Sequence, residues 1–197
     1  MPAPRFELAR GWMGRVIGFA AVFAVLQLSW QALAGGAIER FVIHDATVVP
    51  ATWLVNSITP AVHANAVDRT LAAPGGGLNI LNGCEGIEAL FLLFAAFAVA
   101  PLPWRSRCTG FLLGVAVVFI VNQARILILF YTYRTDPALF DPLHGIVTPI
   151  VVVFTVSAYF YLWLIHAGRP FGRDYLHRER SRQPKGQSTN RSRSKFS

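Results

Sequence analysis

Charge is scarce in this chain. Of its 197 residues only 14% are Asp, Glu, Lys or Arg, against about 25% in an ordinary soluble domain. Acid is scarcer still, with ten Asp and Glu against eighteen Lys and Arg. The deficit is uneven: residues 1–168 hold most of the apolar content, and residues 169–197 form a dense basic tail rich in Arg, Ser, Lys and Gln. That pattern argues against a soluble globular protein and fits an integral membrane protein with a polar tail. Cysteine is also scarce, with two in the chain. Cys84 and Cys108 flank one apolar run, which as a helix would separate them by roughly 36 Å. A disulfide needs Cα atoms within about 7 Å, so the two thiols are expected on opposite faces of the membrane. No internal repeat is visible, and no spacing of His, Cys, Asp or Glu marks a metal site. Neither metal nor cofactor is expected.

Four apolar runs are present, at about residues 16–33, 86–100, 111–131 and 145–165. A helical span needs roughly 20 residues, and the second run is short. The expected fold is an all-α integral membrane protein with about four transmembrane helices and a small outer-face segment. The expected domains are an N-terminus at 1–15, a membrane domain at 16–168 with an insert at 35–83, and a disordered tail at 169–197. Basic residues set the orientation. Fourteen of the eighteen Lys and Arg fall in the N-terminus, the 101–109 loop and the tail, whereas Arg40, Arg69 and Arg134 fall on the other side with seven of the ten acids. The termini are therefore expected in the cytoplasm and the insert outside. The first run also resembles a signal peptide ending at Ala32-Leu33-Ala34. It is long for that role, and Gln27, Ser29 and Gln31 give it a face suited to helix packing. The tail has too little apolar content to fold; it helps to fix topology and is suited to anionic lipid, and nucleic acid is not an expected partner.

Within the insert, residues 47–59 read as an amphipathic helix on the outer leaflet. Residues 61–72 and 78–82 flank Pro74-Gly75-Gly76-Gly77 and read as a hairpin. Its second strand leads directly to Asn82-Gly83-Cys84-Glu85-Gly86.

Three reactive side chains fall near the same end of three successive runs. Cys84 opens the second run, Arg125 lies close to the end of the third, and His144 opens the fourth. A thiol, a guanidinium and an imidazole on one face are the ingredients of a thiol-nucleophile enzyme. Cys84 is expected at a helix N-terminus, where the dipole favours a thiolate and free N–H groups can hold an oxyanion. Glu88, four residues on, is expected on the same helix face, where it could orient a partner. Arg125 is a charge inside an apolar span, which is costly and usually functional; Asn122, one turn earlier, shares its face. Snorkelling to the interface is the bland alternative for Arg125. His144 next to a thiol is the natural base, and later the acid for a leaving amine.

The stretch from Leu78 to Leu164 resembles the exosortase/archaeosortase family of membrane-embedded cysteine transpeptidases. The resemblance rests on Asn82-Gly83-Cys84-Glu85-Gly86-Ile87-Glu88, Pro103-Trp104-Arg105, Asn122-Gln123-Ala124-Arg125, Phe140 and His144. It is greatest to the compact H-type exosortases. It implies Cys84 as nucleophile with Arg125 and His144 completing the site, and Asn82, Glu88 and Asn122 in support. It further implies a secreted protein substrate with a C-terminal sorting tail, cut at the outer face of a bacterial inner membrane through a thioester. Two other readings use the same residues. One is an intramembrane thiol protease without transfer. The other is a transporter or assembly factor in which Glu88 and Arg125 form a buried ion pair.

Overall fold

A computed structural model describes the backbone of residues 5–80 and 83–182, with side chains over 12–80 and 83–167. The chain opens on helix α1 (Arg5–Ala32). Two glycines then turn it into α2 (Ala37–Arg40), a π-helical stretch (Phe41–Val48) and α3 (Val49–Ile58). Three short antiparallel strands follow, β1 (Asn65–Val67), β2 (Thr70–Ala72) and β3 (Leu78–Asn79), in the order β1-β2-β3. The later elements among the described residues are helical: α4 (Ile87–Val99), α5 (Trp104–Thr135), α6 (Pro137–Pro142), a second π-helical stretch (Leu143–Val147) and α7 (Thr148–Arg182).

Among the described residues, three segments are long and apolar enough to cross a membrane: Trp12–Ala32, Trp104–Thr135 and Pro137–Ala167. The expected second span is the 13-residue α4, which at 1.5 Å per residue is about 20 Å long, short of a hydrocarbon core of about 30 Å. Gly86, with φ +81°, halts helical backbone at its start, and Pro101 and Pro103 follow its end. Yet α4 is central. It packs on α1, α5 and α7 and buries Ala89, Leu93 and Phe97 against Val118, Val152 and Val156. Small residues make that packing close. A methyl group on Gly114 would collide with Leu93 and come within 2.9 Å of Tyr159, and one on Gly110 would meet Phe97 at 2.7 Å. At the same end of the bundle, Arg107 donates to the carbonyls of Ala98 and Leu102, which caps the C-terminus of α4.

The insert is a cap with its own core on the other end of α5. Ile43, Val48, Ala51 and Val55 pack with Leu71, Leu78 and Ile80 against Ile126, Leu129 and Phe130. The expected amphipathic helix at 47–59 is thus the last part of a helical run from Ala37, and it buries one face in protein rather than resting only on a leaflet. Its other face still exposes Phe41, Val49 and Trp53. The expected hairpin is a three-stranded meander: residues 61–72 do not form one strand but fold back at Asp68, whose φ is +49°, so that Asn65 faces Ala72. The Pro74–Gly77 turn joins β2 to β3 as expected. Arg134 at the end of α5 fastens that turn by donating to the carbonyls of Pro74 and Gly76.

The fourth span also begins earlier than residue 145. Asp136 caps α6 by accepting from the Ala138 amide at 3.2 Å, and Pro137 occupies the first turn. Helical backbone then continues through His144. Both π-helical stretches end two residues before a proline, Pro50 or Pro149. A proline ring crowds the carbonyl four residues earlier and removes one N–H; a widened turn relieves both. At the far end α7 continues to Arg182, past the expected boundary at Arg169. Extending a formed helix needs no new nucleus, and the segment carries Arg, Leu and Glu. The rest of the expected disordered tail lies outside the described residues.

Replacing Gly114 with Leu is expected to lower stability by about 1–3 kcal/mol through overpacking. Thermal unfolding of the detergent-solubilised protein checks this, with Ala116→Leu, an exposed position on the same helix, as the reference.

Candidate active site

Cys84 sits in a tight turn, Gly83 to Gly86, whose two glycines have φ of +92° and +81°. These are values that side-chain-bearing residues rarely adopt. The helix begins at Ile87 with Gly86 as its N-cap, so Cys84 lies ahead of the first turn rather than within it. The expected placement at the helix N-terminus is corrected accordingly: paired left-handed glycines make a turn here before helix can start.

The turn, α5 and the π-helical stretch before α7 converge. The sulfur of Cys84 lies 3.1 Å from Nε2 of His144. The guanidinium of Arg125 lies 3.8 Å from the same sulfur through Nη2. Its Nη1 donates to the Gly83 carbonyl at 3.2 Å, and its Nε to the Thr148 hydroxyl at 3.0 Å. All three residues picked out in the sequence are therefore brought together. Cys84 and His144 are half-buried, so the pair is reachable, whereas Arg125 is only 8% exposed. That burial corrects the snorkelling alternative: helix α5 runs ten residues beyond Arg125, and the guanidinium is turned inward.

The imidazole is held from behind. Phe140, one turn earlier, stacks on His144 with ring centres 5.4 Å apart and planes within 5°. Tyr133 in turn meets Phe140 edge-on at 5.4 Å. Such pairs contribute about 0.5–1.5 kcal/mol beyond their burial, and here they fix the ring plane. No disulfide involves Cys84 or Cys108, and no group of His, Cys, Asp or Glu among the described residues has the geometry to hold a metal.

The supporting residues fare differently. Asn122 is buried on the face of α5 that carries Arg125, with its amide against Gly86. Glu88 is exposed and makes no ion pair among the described residues. Counting four residues from Cys84 assumed helix from Cys84 onward, and the Gly83–Gly86 turn breaks that count. Asn82 lies outside the described residues. Two neighbours escaped the sequence reading. Thr148 shares a helix face with His144 at i+4, a spacing that was there to be read. Glu85 is 7% exposed, and neither carboxylate oxygen has a hydrogen-bond partner. Burial pushes its carboxyl above the usual range, and the negative charge of Glu88 adds to the rise. The amides of Glu85, Gly83 and Cys84 pull the other way without reaching hydrogen-bond geometry.

Fold and site together define a membrane protein with a reachable thiol, imidazole and guanidinium at one end of a helical bundle. Residues 10–163 match the transmembrane exosortase family. That is well over half of the chain, and the chain belongs to this family of membrane cysteine transpeptidases, whose general role is protein sorting. No curated protein and no solved structure matches it significantly.

Two outcomes follow. Thr148→Val keeps the shape of the side chain but removes the acceptor of a buried charged donor. It should cost about 1.5–3 kcal/mol, read from thermal unfolding in detergent against Thr155→Val, a less buried hydroxyl two turns along the same helix that accepts from no charged donor and bonds its own helix carbonyl. Glu85 carries a sign. Its raised pKa means that folded protein holds a proton that unfolded protein releases above pH 4.5, so stability falls as pH rises through that window. Glu85→Gln should therefore melt higher than wild type at pH 8, and the gap should close as pH falls toward 4.5.

Proposed function

We propose that this protein cleaves C-terminal sorting tails of secreted proteins at the outer face of a bacterial inner membrane, through a thioester on Cys84. The termini lie in the cytoplasm on this reading, as the basic residues argue. The observation that carries it is the buried guanidinium of Arg125, which has no carboxylate partner among the described residues. A buried charge needs a counter-charge. Of the groups Arg125 touches, a carbonyl, a hydroxyl and a sulfur, only the sulfur can become an anion. His144, at hydrogen-bond distance, is the group that can take its proton.

The steps follow from these contacts. His144 accepts the thiol proton, and the sulfur of Cys84 attacks the carbonyl carbon of the scissile peptide bond. Arg125, already at the sulfur, stabilises the oxyanion that develops. His144 returns the proton to the leaving amine, and the carbon–nitrogen bond breaks to leave an acyl thioester. A second nucleophile then releases the acyl group, which distinguishes transfer from plain hydrolysis. A transporter built on a Glu88–Arg125 ion pair lacks that pair here, since Glu88 is exposed.

The test is co-expression with a secreted reporter bearing an apolar, basic-ended C-terminal tail. Cys84→Ala should abolish cleavage while the protein still inserts. Arg125→Lys, which keeps the charge but loses the planar fork, should lower the rate by about 10²–10³. Cleavage by Cys84→Ala at the wild-type rate overturns the reading.

A further inference from the structure

A polar cavity of about 380 Å³ lies behind β2 and β3, on the face away from α5. Its size falls within the range of small-ligand sites, about 300–1,000 Å³. Strand alternation separates it from Cys84. Leu71 and Leu78 turn into the core that rests on Ile126, Leu129 and Phe130 of α5, whereas Thr70 and Asn79, paired across β2 and β3, line the cavity. Gly35 and Gly36, the link from α1 to α2, line it too. The apolar span Trp12–Ala32 ends three residues before Gly35, so with α1 across the membrane the cavity lies at headgroup level. Leu33, Ile38 and Phe41, which flank the lining residues in sequence, are exposed apolar side chains. The charges are held unequally. Glu39 is buried and spent: its carboxylate accepts from Arg69 at 2.7 Å and from the Gly35 amide. Arg40 is not spent. Among the described residues its guanidinium meets Asp68 alone, at 3.7 Å and with both side chains largely exposed, a kind of contact that contributes little. His44 directs Nδ1 to the Asp68 carbonyl at 2.8 Å. A carbonyl only accepts, so Nδ1 carries the proton and Nε2 of the neutral ring is an acceptor.

We propose that this cavity is a lipid site, and that it takes the phosphodiester headgroup of an anionic lipid that carries hydroxyl groups. Arg40, with the Thr70 hydroxyl and the Asn79 amide, supplies donors to the phosphate. The phosphate replaces Asp68 as the partner of Arg40, because charge-assisted hydrogen bonds are stronger than one loose ion contact. Asp68 and Nε2 of His44 then accept from the headgroup hydroxyls. A choline headgroup has no donor for either. The acyl chains lie along Leu33, Ile38 and Phe41, and this apolar border beside the end of a span favours a lipid over a soluble phosphate ester. Helix α1 packs chiefly on α4, so a headgroup held between Gly35–Gly36 and the strands is a second tie between α1 and the cap. The assignment is independent of the chemistry at Cys84.

Native mass spectrometry of the delipidated protein in detergent tests this, with phosphatidylglycerol titrated against phosphatidylcholine of the same chains. Wild type should bind one phosphatidylglycerol about tenfold or more tightly than phosphatidylcholine. Arg40→Gln removes the partner of the phosphate at a largely exposed position, and Thr70→Tyr fills the cavity. Each should erase that preference, while Arg15→Gln, toward the other end of α1, should keep it. A preference that survives in either cavity variant, or that is absent from wild type, overturns the proposal. Displacement of the lipid by glycerol 3-phosphate at equal concentration overturns the lipid assignment and makes a soluble phosphate ester the ligand. Tighter binding of phosphatidylethanolamine than of phosphatidylglycerol overturns the assignment of a hydroxyl-bearing headgroup.

Discussion

The structure is organised around one buried guanidinium. Arg125 is permanently charged, and withdrawing such a group from water costs several kcal/mol unless it is paired. In this protein the pairing does not come from an acid. It comes from a carbonyl in the Gly83 turn, a hydroxyl on Thr148 and the sulfur of Cys84. These groups sit on two separate stretches of chain, the Gly83–Gly86 turn and the start of α7, so satisfying Arg125 draws both onto α5. The same contacts leave the charge short of a counter-ion except at the sulfur. Holding the fold together and preparing the thiol are therefore one interaction.

Around that centre the polypeptide does two different jobs. Away from the site, α4, α5 and α7 meet through Gly110, Gly114 and the rings of Phe97, Tyr159 and Trp163. Lipid tails are as apolar as the helices, so close contact rather than hydrophobic sorting must favour association there. At the site end, the cap builds a compact core on Ile126, Leu129 and Phe130, which are on the same helix as Arg125. The cap fixes the C-terminal half of α5 while the bundle fixes its N-terminal half.

What could be read from sequence follows the same division. Cys84, Arg125 and His144 stood out because a charge or a reactive group is conspicuous in an apolar run, and their order along the chain places them on one face. The helical runs were legible for the same reason. Boundaries were not, because they depend on backbone detail. The fourth span was expected to start at about residue 145, whereas the backbone widens to π-helix between Pro142 and Pro149 and helix runs through both. Asp68 turns the chain with a left-handed φ that no glycine announces. Glu88 was chosen by helical counting that the Gly83–Gly86 turn invalidates, and the buried acid is Glu85 instead. Thr148 is chemically modest, and only the position of Arg125 in space gives it a role.

The shortness of α4 links these points to function. At about 20 Å it cannot match α5, which runs on past Arg125 for ten residues. The Cys84 turn therefore lies well short of the C-terminal end of α5, with the cap packed around that end. A substrate tail that is itself an apolar span would, on the proposed reading, bring its scissile bond to the headgroup level or slightly beneath it. A thiol at the top of a full-length span would stand in bulk water. Recessed on a short helix, it meets the peptide where water is scarce. There the Arg125 charge is least screened, and its pull on the sulfur is strongest.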